Sequence, residues 1–149
     1  MRWPLVVLVC LSVLAAGCDI VRSVGGPRGE LVKEEWHGGR CPEGECRGVV
    51  VLGADGLWRG ESTGEVLAAG VAAEDLARLR AEMDRADFGA IRSVPFAGEC
   101  PTAFDGQEII YTFFTAHGPE RIATCETTID PDHPLFRALA AAEAVRIEG

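Results

Sequence analysis

Between two cysteines, at positions 100 and 125, the chain carries its strongest strand pattern, from Gln107 to Thr115. Bulky apolar side chains would fall on both faces of an extended segment here, with Ile109 and Phe113 on one face and Ile110 and Phe114 on the other. A strand of that kind is typical of the middle of a sheet. We therefore expect a central strand that is buried on both faces.

A Gly-Pro turn follows this strand and predicts that the stretch from Arg121 to Cys125 returns antiparallel to it. Cys100 precedes the strand and Cys125 ends its partner, so the hairpin carries both sulfurs toward the same end and predicts a Cys100–Cys125 disulfide. Such a bridge would contribute ~3 kcal/mol by restricting the unfolded chain. Cys41 and Cys46 form the second predicted pair, although four cysteines permit three connectivities.

Local patterns predict the remaining elements. The stretches from Val49 to Leu52 and from Leu57 to Glu61 flank Asp55-Gly56, which predicts a hairpin. Helical periodicity runs from Ala72 to Phe88, and Asp130-Pro131 offers a cap and first residue for a terminal helix. The sum is an α+β domain in which an antiparallel sheet of four to five strands packs with two amphipathic helices.

The N-terminus has the layout of an export signal. Arg2 precedes an apolar run from Leu5 to Ala16, which ends in small residues at Gly17. A helix that crosses a membrane needs roughly 20 apolar residues, so this shorter run is expected to be cleaved off. Cys18 directly follows the small residues, an arrangement that resembles the lipobox of bacterial lipoproteins. The resemblance implies cleavage before Cys18 and attachment of lipid to its sulfur and amine.

The number of cysteines favours lipidation. Cys10 leaves with the signal, and an unmodified Cys18 would leave an odd number of thiols in an oxidising compartment. We therefore divide the chain into a signal peptide at residues 1–17, the lipidated cysteine with a flexible tether at 18–30, and a single α+β domain at 31–149. The expected location is extracytoplasmic and membrane-anchored, with the choice between inner and outer membrane left open.

The net charge of the chain restricts the classes of partner that we expect. A net charge of −9 disfavours nucleic acid and anionic lipid headgroups as ligands. The expected partners are therefore the membrane, through the lipid on Cys18, and a protein of the cell envelope.

Two patterns resemble catalytic or metal sites without their full context. Gly60-Glu-Ser-Thr-Gly64 matches the serine-hydrolase elbow, but the predicted helix begins only at Ala72, whereas an elbow needs a helix at once. His37, Cys41 and Cys46 would need a second ligand pair to form a usual zinc site. We predict no catalytic residue, metal or cofactor, and a protein that is not an enzyme.

Cys100-Pro-Thr-Ala-Phe-Asp105, followed by a long strand and Cys125, resembles the reactive region of bacterial subtilisin-inhibitor-like proteins. The resemblance implies that Thr102 precedes the scissile bond and Ala103 follows it, in an exposed loop that the disulfide holds rigidly extended. Serine protease inhibition is therefore the alternative function.

A second resemblance concerns the whole layout. Gly38-Gly-Arg-Cys41, the nearby Cys46 and the turn Ala54-Asp-Gly56 resemble small uncharacterised bacterial lipoprotein domains. The resemblance implies a fold rather than an activity. The function expected first is that of a lipid-anchored extracytoplasmic protein that works as a non-enzymatic binding or envelope-interaction module.

Overall fold

The computed structural model describes residues 29–41, 44–61, 63–67 and 70–146, with the backbone alone at 41, 44 and 45. The predicted signal peptide and Cys18 lie outside these residues. Among the helices of the described part, none is long and apolar enough to cross a membrane.

In the described part of the chain, five antiparallel strands form one sheet in the order β3-β2-β1-β4-β5. The strands are β1 (Glu30–Cys41), β2 (Gly44–Gly53), β3 (Trp58–Gly60), β4 (Gln107–Thr115) and β5 (Gly118–Ala123). The helices are α1 (Ala73–Arg85), α2 (Phe88–Arg92) and α3 (Pro134–Glu143), and two short 3₁₀ helices lie at Pro101–Phe104 and Ala144–Arg146. The predicted α+β class is confirmed.

The core lies between one face of the sheet and the helices. Val32 of β1 pairs with Leu52 on one side and Phe113 on the other, and all three side chains are fully buried. Trp58 of β3 is also fully buried, and its indole Nε1–H donates to the backbone oxygen of Ala142 in α3 at 2.9 Å. This bond ties the edge strand to the terminal helix, because a buried indole nitrogen needs an acceptor.

Helix α1 follows its predicted face. Leu76, Leu79 and Met83 are buried, at the spacing that places them on one side of a helix. The helix ends at Arg85 instead of continuing to Phe88, because the Asp87 carboxylate accepts from the N–H of Ala90 at 2.9 Å and caps a new helix, α2.

Two predictions about the strands are corrected. The central strand is β1, which the sequence pattern did not predict as a strand, and β4 lies beside it. β4 is also not buried on both faces: Phe113 is its one buried residue, and Ile110 and Phe114 are half-buried on the face away from the helices. The side chains of β4 alternate between the two faces as predicted. The second face is only half-buried because the described helices pack on one side of the sheet.

The start of the terminal helix is also corrected. Asp130 does not cap it, because its carboxylate accepts from the N–H of Asp132 at 2.9 Å within a preceding turn. The cap is His133, whose Nδ1 accepts from the N–H of Leu135 at 3.2 Å, and Pro134 occupies the first helical turn.

Candidate functional site

The sheet has two ends that differ in character. β1 runs from Glu30, where the predicted tether joins, to Cys41. At its far end Gly38 pairs with Gln107, the first residue of β4. We call this the distal end; it comprises the His37–Cys41 part of β1, the segment from Cys100 to Glu108, and Cys125.

The predicted Cys100–Cys125 disulfide is present and holds the distal end together. The two Cα atoms are 5.1 Å apart across a sequence separation of 25. The hydroxyl of Thr124 accepts from the N–H of Ile109, and the N–H of Thr124 donates to the Ile109 oxygen, each at 2.9 Å. These bonds extend the β4–β5 pairing by one residue and bring Cys125 beside the start of β4.

Of the second predicted bridge, the structure describes the side chain of one cysteine, Cys46. Cys46 is disulfide-bonded and buried on β2, next to the hairpin end of β1. The side chain of Cys41 is outside the described ones, so the Cys41–Cys46 pairing stays a prediction.

The segment that follows Cys100 is helical. Pro101–Phe104 forms a 3₁₀ helix, and the N–H of Ala103 donates to the Cys100 oxygen at 2.9 Å. The N–H of Gly106 then closes the turn onto the Pro101 oxygen at 2.7 Å. The rigidly extended loop expected for a protease inhibitor is therefore wrong. Ala103 is exposed, but it lies in a 3₁₀ turn that offers no extended strand to a protease, which disfavours inhibition through this segment.

This 3₁₀ helix packs tightly against β1. Gly38 has φ +87°, and a Cβ there would lie 2.7 Å from the Thr102 methyl and 2.8 Å from the Gly106 oxygen. The Thr102 hydroxyl in turn lies 3.1 Å from the Cys100 sulfur. The glycine thus permits a close approach that a side chain would prevent.

Phe104 points out of this fixed turn. The residue is 69% exposed, the largest value among the exposed large hydrophobic residues of the described chain. Asp105 ends the turn in the left-handed region, with φ +62°. The turn thus presents to solvent an aromatic side chain, a residue type enriched among those that dominate protein–protein binding, on a backbone that the disulfide fixes.

Next to the disulfide, Glu108 and His37 form an acid–imidazole pair. The Nε2 atom of His37 is 2.9 Å from the Oε2 atom of Glu108, whose side chain is only 12% exposed. A carboxylate oxygen of Glu108 and the sulfurs of Cys100 and Cys125 all lie within 4.8 Å of one another. No pattern in the sequence indicates this cluster, because His37 and Glu108 meet only through the β1–β4 register, in which they are direct partners.

A second titratable cluster lies between the sheet and the end of α3. Arg146 forms an ion pair with the buried Glu34 and lies over the Trp58 ring at 4.8 Å. Burial, with the nearby Glu34 charge, raises the pKa of Glu143 to about 7, and burial with both carboxylates raises that of Tyr111. The cluster joins β1, β3, β4 and the C-terminal turn, and we assign it a structural role.

At the other end of the sheet, a groove of about 500 Å³ lies beside Glu30 and contains Asp55 and Arg59. The guanidinium makes two hydrogen bonds to the Asp55 carboxylate, at 3.0 and 2.6 Å. This pairing holds the pKa of Asp55 at about 2, below its ordinary value. Because the arginine is already paired within the protein, we do not treat the groove as the candidate site.

Comparison with known protein families, with characterised proteins and with solved structures finds no match to this chain. The candidate site therefore rests on geometry. Of the predicted site residues, the fold brings together Cys100, Thr102, Ala103 and Cys125, and Cys18 lies outside the described residues.

Proposed function

We propose that the protein is a lipid-anchored extracytoplasmic binding module that contacts a protein of the cell envelope through its distal end. The observation that carries the proposal is the exposed Phe104 on a turn fixed by the Cys100–Cys125 disulfide. A binding role accounts for an exposed aromatic residue that the domain does not bury in its own core.

The position of this surface agrees with an anchored protein. β1 has 12 residues, so it spans roughly 40 Å at the usual rise of a strand. The lipid on Cys18 would keep the Glu30 end nearer to the membrane, on average, than the distal end. A surface so placed can reach a partner in the envelope without contacting headgroups that repel an acidic protein.

The chemistry of the surface favours a protein as the partner. Aromatic side chains are enriched among the residues that dominate protein–protein binding. The surrounding backbone is already ordered by the disulfide and by the packing of Thr102 on Gly38, so little further ordering opposes association.

The proposed contact with a protein of the cell envelope is tested on protein extracted from native membranes. The full-length protein is solubilised in mild detergent and its apparent mass is measured by native electrophoresis. We expect the wild type to migrate in a complex with a second protein and Phe104→Ser to migrate alone. Val94→Ser is the matched control, because Val94 is 51% exposed but lies outside the distal end.

Two results would contradict the binding role. One is a wild type that migrates as this chain alone. The other is a complex that Phe104→Ser leaves intact, or that Val94→Ser removes to the same extent.

A further inference from the structure

We propose that reduction of the Cys100–Cys125 disulfide turns the distal end into a zinc site, with both thiolates and the Glu108 carboxylate as ligands. This inference goes beyond the binding role and does not depend on it.

The Glu108 carboxylate already lies close to both sulfurs. Zinc binds thiolate sulfur at about 2.3 Å and carboxylate oxygen at about 2.0–2.2 Å, so ligand atoms around one ion are on the order of 3.5 Å apart. The two sulfurs and a Glu108 oxygen lie within 4.8 Å of one another before any adjustment. The Cα atoms of the cysteines are 5.1 Å apart, which lets both thiolates face a single ion after the sulfurs separate.

The surroundings of Glu108 suit a metal ligand. The Nε2 atom of His37 lies 2.9 Å from the Oε2 atom of Glu108, and a carboxylate has a second oxygen that can ligate zinc. Such support from a neighbouring group fixes the orientation of a ligand and raises metal affinity. The Glu108 side chain is only 12% exposed, so a cation would compensate a charge that water solvates poorly. With three protein ligands, the fourth position would hold water.

The site requires a reductant, which we take to be a dithiol. The dithiol gives two electrons and two protons to the disulfide, becomes a disulfide itself, and leaves Cys100 and Cys125 as thiols. Each thiol loses its proton when zinc binds. The Thr102 hydroxyl, 3.1 Å from the Cys100 sulfur, is placed to donate a hydrogen bond to the thiolate.

The test uses the full-length protein in detergent, with Co²⁺ as a spectroscopic substitute for zinc. After treatment with a phosphine reductant, we expect thiolate-to-cobalt charge-transfer absorption that saturates at one ion per chain. The oxidised protein should give none. Glu108→Gln should weaken binding at least tenfold, whereas Glu126→Gln should not change it. Glu126 is the matched control, because it follows Cys125 directly but its carboxylate pairs with Arg121.

A second variant separates this site from the other cysteines. Cys46 is disulfide-bonded too, and reduction would free it as well. Cys46→Ser should keep the cobalt signal, and Cys100→Ser should abolish it. A cobalt signal that is lost in Cys46→Ser and kept in Cys100→Ser would overturn the proposal. So would a reduced wild type that gives no signal at 100-fold excess Co²⁺, whether or not it keeps its circular dichroism spectrum.

Discussion

Glu143 is the last residue of α3, and one of its carboxylate oxygens is buried without a hydrogen-bond partner among the described residues. Three other polar groups face it from separate elements: Glu34 on β1, Tyr111 on β4 and Arg146 after α3. Arg146 is already paired with Glu34, so it compensates Glu143 only in part. Burial therefore dominates and raises the pKa of Glu143 to about 7.

This raised pKa makes stability depend on pH in a defined direction. Between the ordinary value of 4.5 and about 7, folded Glu143 keeps a proton that the unfolded chain has lost. The free energy of unfolding should therefore fall as pH rises through that window, by about 2 kcal/mol after allowance for solvent screening.

The Glu143→Gln variant should remove this fall. We expect denaturant titrations between pH 4.5 and 7 to give the variant a flatter stability profile than the wild type. Glu99→Gln, at an exposed position, should follow the wild type. If the profiles of wild type and Glu143→Gln run parallel, the carboxylate is not protonated in the folded protein.

At the scale of elements, the contact between β1 and the 3₁₀ helix determines the shape of the distal end. Gly38 combines a left-handed φ with a close approach to Thr102, so a side chain there meets both conformational strain and a steric clash. Gly64 isolates the first effect, since it has φ +66° and a Cβ there would contact none of the described residues beyond its neighbours in sequence.

Two alanine substitutions test this contact. Gly64→Ala should cost about 1 kcal/mol of stability from the backbone alone. Gly38→Ala should cost about 3 kcal/mol, because overpacking adds to the strain. The measurement is the midpoint of urea unfolding for both variants. Equal losses would mean that the 3₁₀ helix moves away from β1 at little cost.

The sequence predicted the elements whose pattern is local. β4 begins at Gln107 and ends at Thr115 as expected, and α1 buries the predicted Leu76, Leu79 and Met83. β1 was missed because charged residues occupy its middle, and one of them, Glu34, faces the core. This strand is specified by ladders on both sides, with β2 and β4, and no local pattern contains that information.

The same distinction applies to the candidate site. The Cys100–Cys125 bridge was predictable, because one hairpin in sequence order brings the two residues together. The His37–Glu108 pair was not, because it depends on the register between two strands that are distant in sequence. The 3₁₀ conformation of Pro101–Phe104 was missed because it depends on a turn closed by backbone bonds and on the space that Gly38 leaves.

At the scale of the whole molecule, the fold separates two ends. Val32 pairs with Phe113, so the β4–β5 turn at His117 lies at the Glu30 end of the sheet. Phe104 lies at the other. A lipid on Cys18 would therefore place His117 near the membrane and Phe104 away from it. Anchoring would also raise the effective concentration of the module toward a partner in the same membrane.

The central claim is tested most directly by crosslinking in living cells from benzophenone side chains placed at positions 104 and 117, both exposed in the fold. We expect a protein adduct from position 104 and none from 117. The yield from 104 should fall at least tenfold in Cys18→Ser, which lacks the anchor, and stay unchanged in Cys10→Ser, where the altered residue leaves with the signal. Protein adducts from 117 but not 104, or a yield from 104 that Cys18→Ser leaves unchanged, would contradict the account.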